Sequence, residues 1–96
     1  MFIDFDPAKS ARNDQERGLP FPQAARIFLG PTIEWDDRRH DYGERRIIAV
    51  GVADDVVLKL VYTWRYDDAE GPFRWIISAH VASRKERRIH AAHFPE

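Results

Sequence analysis

A run of alternating apolar and polar positions dominates the second half of the chain, and residues 56–65 are its clearest part. One side of this run is apolar and carries Val56, Leu58, Leu60, Tyr62 and Trp64. The other side is mixed and carries Val57, Lys59, Val61, Thr63 and Arg65. Because successive side chains of a β-strand point to opposite faces, the pattern predicts a long strand with one buried face.

A second alternating run leads directly into a basic helix. Strict alternation assigns one set of side chains to the core, namely Trp75, Ile77, Ala79 and Val81. It assigns another set to the opposite face, namely Arg74, Ile76, Ser78 and His80. Ser83 and Glu86 have the S-x-x-E spacing of a capping box, which predicts a helix from Ser83 to about residue 92. The polar face of the strand is then either a site of chemistry or the solvated face of an edge strand.

Caps and stops define two helices in the first third of the chain. Residues 2–5 alternate and predict a short strand or an extended segment. Asp6-Pro7 has the N-cap and first-turn proline of a helix that Gly18 ends. A second helix is expected to begin at Pro22 and to end at Gly30-Pro31.

Short strands and turns fill the middle of the chain. Strands are expected at residues 32–35 and 45–52, a turn at Asp54-Asp55 and a hairpin loop at residues 66–72. The order of elements predicts an α+β domain with two N-terminal helices, a three- to four-stranded antiparallel sheet and a C-terminal helix. All helices would pack on one side of the sheet. The other side would collect polar side chains, namely Lys59, Thr63, Arg65, Arg74, Ser78 and His80.

Composition excludes several classes of protein. The chain has 96 residues and no cysteine, which predicts one domain over residues 1–96 without disulfide or thiol chemistry. Residues 1–7 lack the basic and apolar segments of a signal peptide, and no apolar stretch approaches the length that spans a bilayer. We therefore expect a cytoplasmic protein without a membrane partner.

The charges are unevenly distributed along the chain. Residues 1–44 contain nine acidic and six basic side chains, whereas residues 74–93 contain five basic and one acidic. A basic C-terminal segment fits a polyanion, an acidic partner protein or simply a solvated helix face.

Five ordered segments give the chain a resemblance to the BrnT toxins of type II toxin–antitoxin systems, which are small bacterial ribonucleases with a RelE-like fold. The segments are Asp6-Pro7 with Lys9 and Asn13, Phe21 with Ala24, Ala25 and Phe28, Gly43-Glu44-Arg45-Arg46 with Val50-Gly51, Val61-Tyr62-Thr63 with Arg65, and Ile76-Ile77-Ser78-Ala79 with Ala82 and Glu86. Two places depart from the family's usual pattern. Glu16-Arg17-Gly18 stands where Lys-His-Gly is common, and Trp75 and His80 stand where arginines usually flank Ile-Ile-Ser-Ala.

The resemblance implies cleavage of RNA without a metal ion or any other cofactor. Such a reaction must deprotonate a ribose 2′-OH, stabilise the phosphorane and protonate the 5′-oxygen. We expect His80 to act as acid or base, Glu44 to be an alternative base, and Arg65 and Arg74 to complete the catalytic set.

Further cations are expected to bind RNA, namely Arg46, Lys59 and Arg84. Each assignment has a structural alternative. His80 could be a structural or simply exposed residue, and Arg65 and Arg74 could form ion pairs with Asp67, Asp68 or Glu70.

Two further patterns are weaker. His90 and His93 lie three residues apart on the last helix, and a metal site would need His40 or His80 as well. The tryptophans at 35, 64 and 75 could stack on bases, although tryptophans in alternating strands are usually core residues.

By resemblance, the protein is expected to be a toxin that inhibits translation by cutting RNA. Its partner would be a BrnA-like antitoxin in a heterotetramer that represses its own operon, with operator DNA bound only through the antitoxin. The departures at Trp75 and His80 leave an alternative, a catalytically weakened module that acts mainly by binding its antitoxin in a co-repressor complex.

Overall fold

The computed structural model describes residues 2–95, which form a five-stranded sheet with helical segments on both faces. The elements are β1 Ile3–Phe5, α1 Pro7–Arg17, α2 Phe21–Ala24, a 3-10 helix Ala25–Leu29, β2 Ile33–Asp36, β3 Ile47–Ala53, β4 Val56–Asp67, β5 Gly71–Val81 and α3 Arg84–His93. The strand order is β1-β5-β4-β3-β2. The α+β prediction is confirmed.

The predicted number and direction of strands need correction. Four strands, β2 to β5, form the expected antiparallel meander. The fifth, β1, pairs in parallel with β5, with Ile3 opposite Arg74 and Phe5 opposite Ile76. A parallel pair needs a long crossover connection, and here every other element of the sheet lies between the two strands in sequence. Local pattern alone therefore gave no sign of this pairing.

The caps and turns lie where the sequence predicts them. The Asp6 carboxylate accepts a hydrogen bond from the Ala8 N–H at 2.9 Å and caps α1, and Gly18 ends that helix with φ of +66°. Asp54 and Asp55 both have positive φ, 52° and 65°, as a two-residue hairpin turn between twisted strands requires. The last helix has the complete capping box of Ser83 and Glu86.

The main core lies between the sheet and the helical segments of residues 7–29. The sheet contributes buried apolar side chains to it, namely Ile47, Ala49, Ala53, Leu58, Leu60, Tyr62, Ile76 and Ala79. The helical side contributes Leu19, Phe21, Ala24 and Ile27. We call this side of the sheet the main-core face.

The opposite side, which we call the open face, carries a smaller apolar cluster of Ile48, Val50, Val61 and Ala82. The helix α3 crosses this face, as shown by the ion pair between its Glu86 and Lys59 on β4 at 3.4 Å. The prediction that all helices pack on one side is therefore wrong. None of the residues of α3 is fully buried, so this helix covers the open face only in part.

A β-bulge in β5 reverses part of the predicted face assignment. Ser78 lies opposite Val61, whereas Ile76 lies opposite the next residue, Tyr62, which leaves Ile77 without a partner. Ala79 points to the main core and His80 to the open face, as predicted. The residues before the bulge lie on the opposite faces from those predicted. Ile76 is fully buried in the main core and Ile77 packs on the open face.

The exchange of faces extends to Arg74 and Trp75, which come before Ile76 in the strand. Trp75 lies opposite Thr63 on the open face, and Arg74 lies opposite Trp64 on the main-core face. The predictions that Trp75 and Ile77 face the main core, and that Arg74 and Ile76 face away from it, are therefore wrong. A single inserted residue has this effect because the side-chain period of a strand is two.

Candidate functional site

His80 and Lys59 lie opposite each other on neighbouring strands of the open face. The Lys59 ammonium is 3.4 Å from the Glu86 carboxylate, which belongs to the first turn of α3. The same carboxylate accepts a hydrogen bond from the Ser83 N–H at 2.8 Å. The site is thus built by β4, β5 and the capping box of α3, and we call these three side chains, His80, Lys59 and Glu86, the His80 site.

Its surroundings favour the neutral form of His80. Burial lowers the pKa of His80 below its ordinary value, and the positive charges of Arg17 and Lys59 lower it further. At pH 7 the imidazole is therefore mostly unprotonated. A neutral imidazole beside an ammonium group can accept a proton while the cation holds an anion.

Glu86 remains charged at the same site. Burial opposes its ionisation, but the hydrogen bond from Ser83 and the charge of Lys59 outweigh burial and hold the pKa of Glu86 below its ordinary value. The carboxylate is therefore an acceptor that positions Lys59 and not a proton donor at neutral pH.

A cleft of about 490 Å³ extends from Lys59 across the open face, beneath α3. Its floor is formed by Trp35, Ile48 and Lys59 of the sheet. Its walls are Ser83, Lys85, Glu86 and Ile89 of α3 and the loop residues Asp36, Asp37, Arg38 and Arg39. Four cations and three carboxylates line the cleft, and each carboxylate pairs with one of the cations, which leaves the lining with one net positive charge.

Asp37 holds one wall of this cleft in place. Its side chain is 1% exposed and accepts hydrogen bonds from Arg39 at 2.8 and 2.7 Å and from the Tyr42 hydroxyl at 3.2 Å. The hydrogen bonds from Arg39 and the nearby charge hold the pKa of Asp37 far below its ordinary value, although burial opposes this. Arg39 is therefore fixed at the rim of the cleft.

Sequence reasoning missed Arg38, Arg39 and Lys85 as cleft residues. The signals were the basic C-terminal segment, which contains Lys85, and the Asp-Asp-Arg-Arg run at residues 36–39, which has the composition of an ordinary solvated loop. Burial of Asp37 could not be inferred, because it depends on Tyr42 and the end of β2 meeting in space.

Arg65 shares the open face with His80 but is not close to it. Arg65 is six positions from Lys59 on β4, which corresponds to about 20 Å at the rise of a strand. The Arg65 guanidinium lies over the Trp75 ring, 4.4 Å from its centroid. Among residues 2–95, no ion pair joins Arg65 to Asp67, Asp68 or Glu70, and Asp67 instead accepts the N–H groups of its own turn.

Arg74 lies on the other side of the sheet. Its guanidinium carbon is 4.1 Å from the ring centroid of Phe28, 4.9 Å from that of Trp64 and 5.1 Å from that of Tyr62. The Tyr62 hydroxyl donates a hydrogen bond to Glu34 in the same region. Burial, followed by this hydrogen bond, raises the pKa of Tyr62 to about 12. Arg74 is thus separated from His80 by the sheet.

The remaining predicted residues lie around the open face. Glu44 pairs with Arg46 at 3.2 Å, and the Arg46 guanidinium lies 4.0 Å from the Tyr42 ring centroid. Arg84 is the exposed first residue of α3. The cleft under α3 is lined by Lys59 but not by Glu44, Arg46 or Arg84.

The two weaker patterns concern the histidines and the tryptophans. Residues 2–95 contain no group of three or more His, Cys, Asp or Glu side chains that could hold a metal ion. Trp64 is 44% exposed, and Trp35 and Trp75 are partly buried. Within the described part of the chain, no helix is long and apolar enough to cross a membrane.

Comparison with models of protein families gives a match over most of the chain. A family model described as the ribonuclease toxin, BrnT, of type II toxin–antitoxin systems matches residues 5–86. This range begins in β1 and includes Lys59, His80 and Glu86. No curated protein matches the chain.

Proposed function

Since the chain belongs to the BrnT family of ribonuclease toxins of type II toxin–antitoxin systems, we propose that it cleaves RNA at His80 and Lys59 without a metal ion. The observation that carries the proposal is that His80, whose surroundings favour the neutral imidazole, lies opposite Lys59, whose side chain lines the cleft under α3. The remaining predicted cations, Arg46 and Arg84, would contact RNA outside the cleft.

The proposed reaction is an attack of the ribose 2′-oxygen on the adjacent phosphorus. His80 takes the proton of the 2′-OH, and Lys59 donates hydrogen bonds to a non-bridging oxygen as negative charge develops there. The bond from phosphorus to the 5′-oxygen breaks, and the leaving oxygen receives a proton from water or from the imidazolium. The products are a 2′,3′-cyclic phosphate and a 5′-hydroxyl. Glu86 holds Lys59 in position.

Cleavage of single-stranded RNA by the purified toxin, separated from its antitoxin, tests this assignment. We expect His80→Ala to reduce kcat by about 100-fold or more, since general acid–base groups typically contribute factors of that size. Lys59→Ala should reduce kcat to a similar degree. Arg26→Ala is a suitable control, because Arg26 pairs with Asp54 at 3.1 Å and does not line the cleft.

Equal rates for the wild type, His80→Ala and Lys59→Ala would contradict the site assignment. Absence of cleavage by the wild type under all conditions would contradict the enzyme proposal. Mapping the ends of the product would check the mechanism, because a 3′-hydroxyl product is incompatible with attack by the 2′-oxygen.

One observation favours the alternative of a catalytically weakened module that binds its antitoxin. Arg65 and Arg74 are held on aromatic rings away from His80, so the His80 site lacks the two arginines expected there. Expression without the antitoxin separates the two proposals. A ribonuclease should arrest growth and lose this effect in His80→Ala, whereas a weakened module should be tolerated.

A type II toxin family implies an antitoxin partner. We further propose that this partner is BrnA-like and that the complex is a heterotetramer which represses its own operon. The antitoxin would supply the contacts with operator DNA. The free toxin would act in the cytoplasm, where cleavage of RNA inhibits translation.

A further inference from the structure

The helix α1 buries two polar side chains and leaves its alanines exposed to solvent. Its charged face has the spacing of a single helical stripe, namely Lys9, Arg12, Asn13, Glu16 and Arg17. Ala8 and Ala11 are exposed, whereas Ser10 and Asn13 are buried. A surface helix normally buries its apolar stripe, so α1 is oriented by something other than hydrophobic burial.

Asn13 provides that orientation. Its side-chain amide donates hydrogen bonds to the carbonyl oxygens of Leu19 at 2.6 Å and of Ala79 on β5 at 3.1 Å. The Ser10 hydroxyl accepts a hydrogen bond from the Phe21 N–H at 3.0 Å. These bonds fix the charged stripe against the edge of β5, beyond the point where β1 stops pairing.

A cavity of about 170 Å³ lies between this stripe and the bulge of β5. Its lining combines the charged stripe with Phe21, Ile77 and Ser78. Lys9 and Arg12 have no carboxylate at ion-pairing distance among residues 2–95, and Arg17 is 3.4 Å from Glu16. Three cations and one carboxylate leave an excess of positive charge around a cavity that also contains a hydroxyl group.

The cavity lies beside the His80 site. Ser78 is two residues from His80 on the same strand. Arg17, which lines the cavity, also contributes to the lowered pKa of His80. A phosphodiester chain that crosses His80 therefore has a second group of cations within reach at the edge of β5.

We propose that this cavity binds a backbone phosphate of the RNA substrate, next to the phosphate that is cut, through Lys9, Arg12 and Arg17. The inference rests on the proposed ribonuclease function and extends it by naming where the uncut part of the chain lies. Guanidinium groups suit this role, because they stay charged and present several donors to phosphate oxygens. The Glu16 carboxylate repels an anion and therefore weakens the binding of phosphate.

The test is the affinity for a single-stranded RNA oligonucleotide with 2′-O-methyl groups throughout, which cannot be cut by attack of the 2′-oxygen. We expect Arg12→Ala to weaken binding about tenfold, the loss typical of a hydrogen bond to a charged group. The slope of log affinity against log salt should fall by about 0.7, the value for one phosphate contact on a single strand. With cleavable RNA, KM should rise while kcat is unchanged.

A substitution that is expected to strengthen RNA binding provides a second test. Glu16→Gln should tighten binding about threefold, since it removes a surface carboxylate without adding a cation. Arg26→Ala should change neither the affinity nor the salt slope, because Arg26 is paired with Asp54 away from this cavity. Both Arg12 and Glu16 are exposed, so neither change should prevent folding.

Unchanged affinity and salt slope in both Lys9→Ala and Arg12→Ala would overturn the proposal, even if the wild type cuts RNA. Weaker binding of the antitoxin with unchanged RNA affinity would overturn it in favour of a protein-binding face. If the variants weaken binding of the uncleavable RNA but the wild type cuts none, the phosphate site is supported and the proposed ribonuclease function fails.

Discussion

At the scale of single residues, the immediate neighbour of each cation decides what it can do. Lys59 is positioned by Glu86 at the end of the cleft, and Arg39 is fixed at the rim by the buried Asp37. Arg65 lies on an indole ring instead. Side chains of the same charge are thus held in an ion pair or packed on a ring, depending on which carboxylate or ring lies within a few ångströms.

The titration of His80 is the prediction that belongs to this scale. NMR should give a midpoint below the ordinary pKa of 6.5, because burial and the charges of Arg17 and Lys59 disfavour the imidazolium. Arg17→Gln should raise the midpoint. Arg26→Gln should not move it, since Arg26 is not among these charges.

The same shift affects stability in a defined direction. Because the folded pKa of His80 is lowered, the unfolded chain binds this proton more readily. The contribution of His80 to stability is present above about pH 6.5 and is lost as the pH falls through the folded value. In the NMR titration, a midpoint for His80 at or above pH 6.5 would contradict its placement beside Arg17 and Lys59.

At the scale of elements, the bulge in β5 decides which residues form the core and which face the cleft. Ile77 is the extra residue, so Ile76 and Ala79 both point to the main core although they are three positions apart. It is also the reason that Arg74 and His80 lie on opposite faces. The bulge therefore determines the composition of the candidate site.

Adjacent isoleucines provide a matched test of this bulge. Ile76 is 0% exposed in the main core, whereas Ile77 is only partly buried on the open face. Ile76→Ala should lower the free energy of unfolding by about 3 kcal/mol, and Ile77→Ala by about 1 kcal/mol. Urea denaturation measures both. A larger loss for Ile77 would show that β5 follows strict alternation.

At the scale of the whole molecule, the 3-10 helix and β3 approach each other closely at Gly51. A Cβ atom at this position would lie 3.0 Å from Ile27 Cβ and 3.0 Å from Thr32 Cγ2. The N-terminal helical layer can therefore lie flat on the sheet only because residue 51 has no side chain. This contact joins two parts of the chain that are separate in sequence.

Gly51→Ala should lower the free energy of unfolding by about 2 kcal/mol, because the added methyl group must displace the helical layer from the sheet. The control is Gly30→Ala, where a Cβ would meet no atom within 4 Å. That change should be neutral or slightly stabilising, because alanine restricts the unfolded chain. Equal stability of the two variants would contradict the close packing at Gly51.

The sequence by itself determined the caps and the tight turn, which depend on residues close together in the chain. Asp6 and Gly18 bound the first helix, Ser83 and Glu86 cap the last, and Asp54-Asp55 makes the turn between β3 and β4. The α+β class followed from the order of these elements. Lys59 and His80 were identified as candidates from residue type and alternation.

Only the tertiary structure decided which of the candidates meet. Arg74 is separated from His80 by a bulge that depends on the register between β4 and β5. The parallel pairing of β1, the crossing of α3 over the open face and the position of the α1 charges beside β5 are further examples. Caps and turns involve only a few consecutive residues and are therefore encoded locally. The register of the strands, and the side of the sheet on which a helix or side chain lies, result from packing between distant segments. A shift of one residue in a strand moves every side chain that follows to the other face.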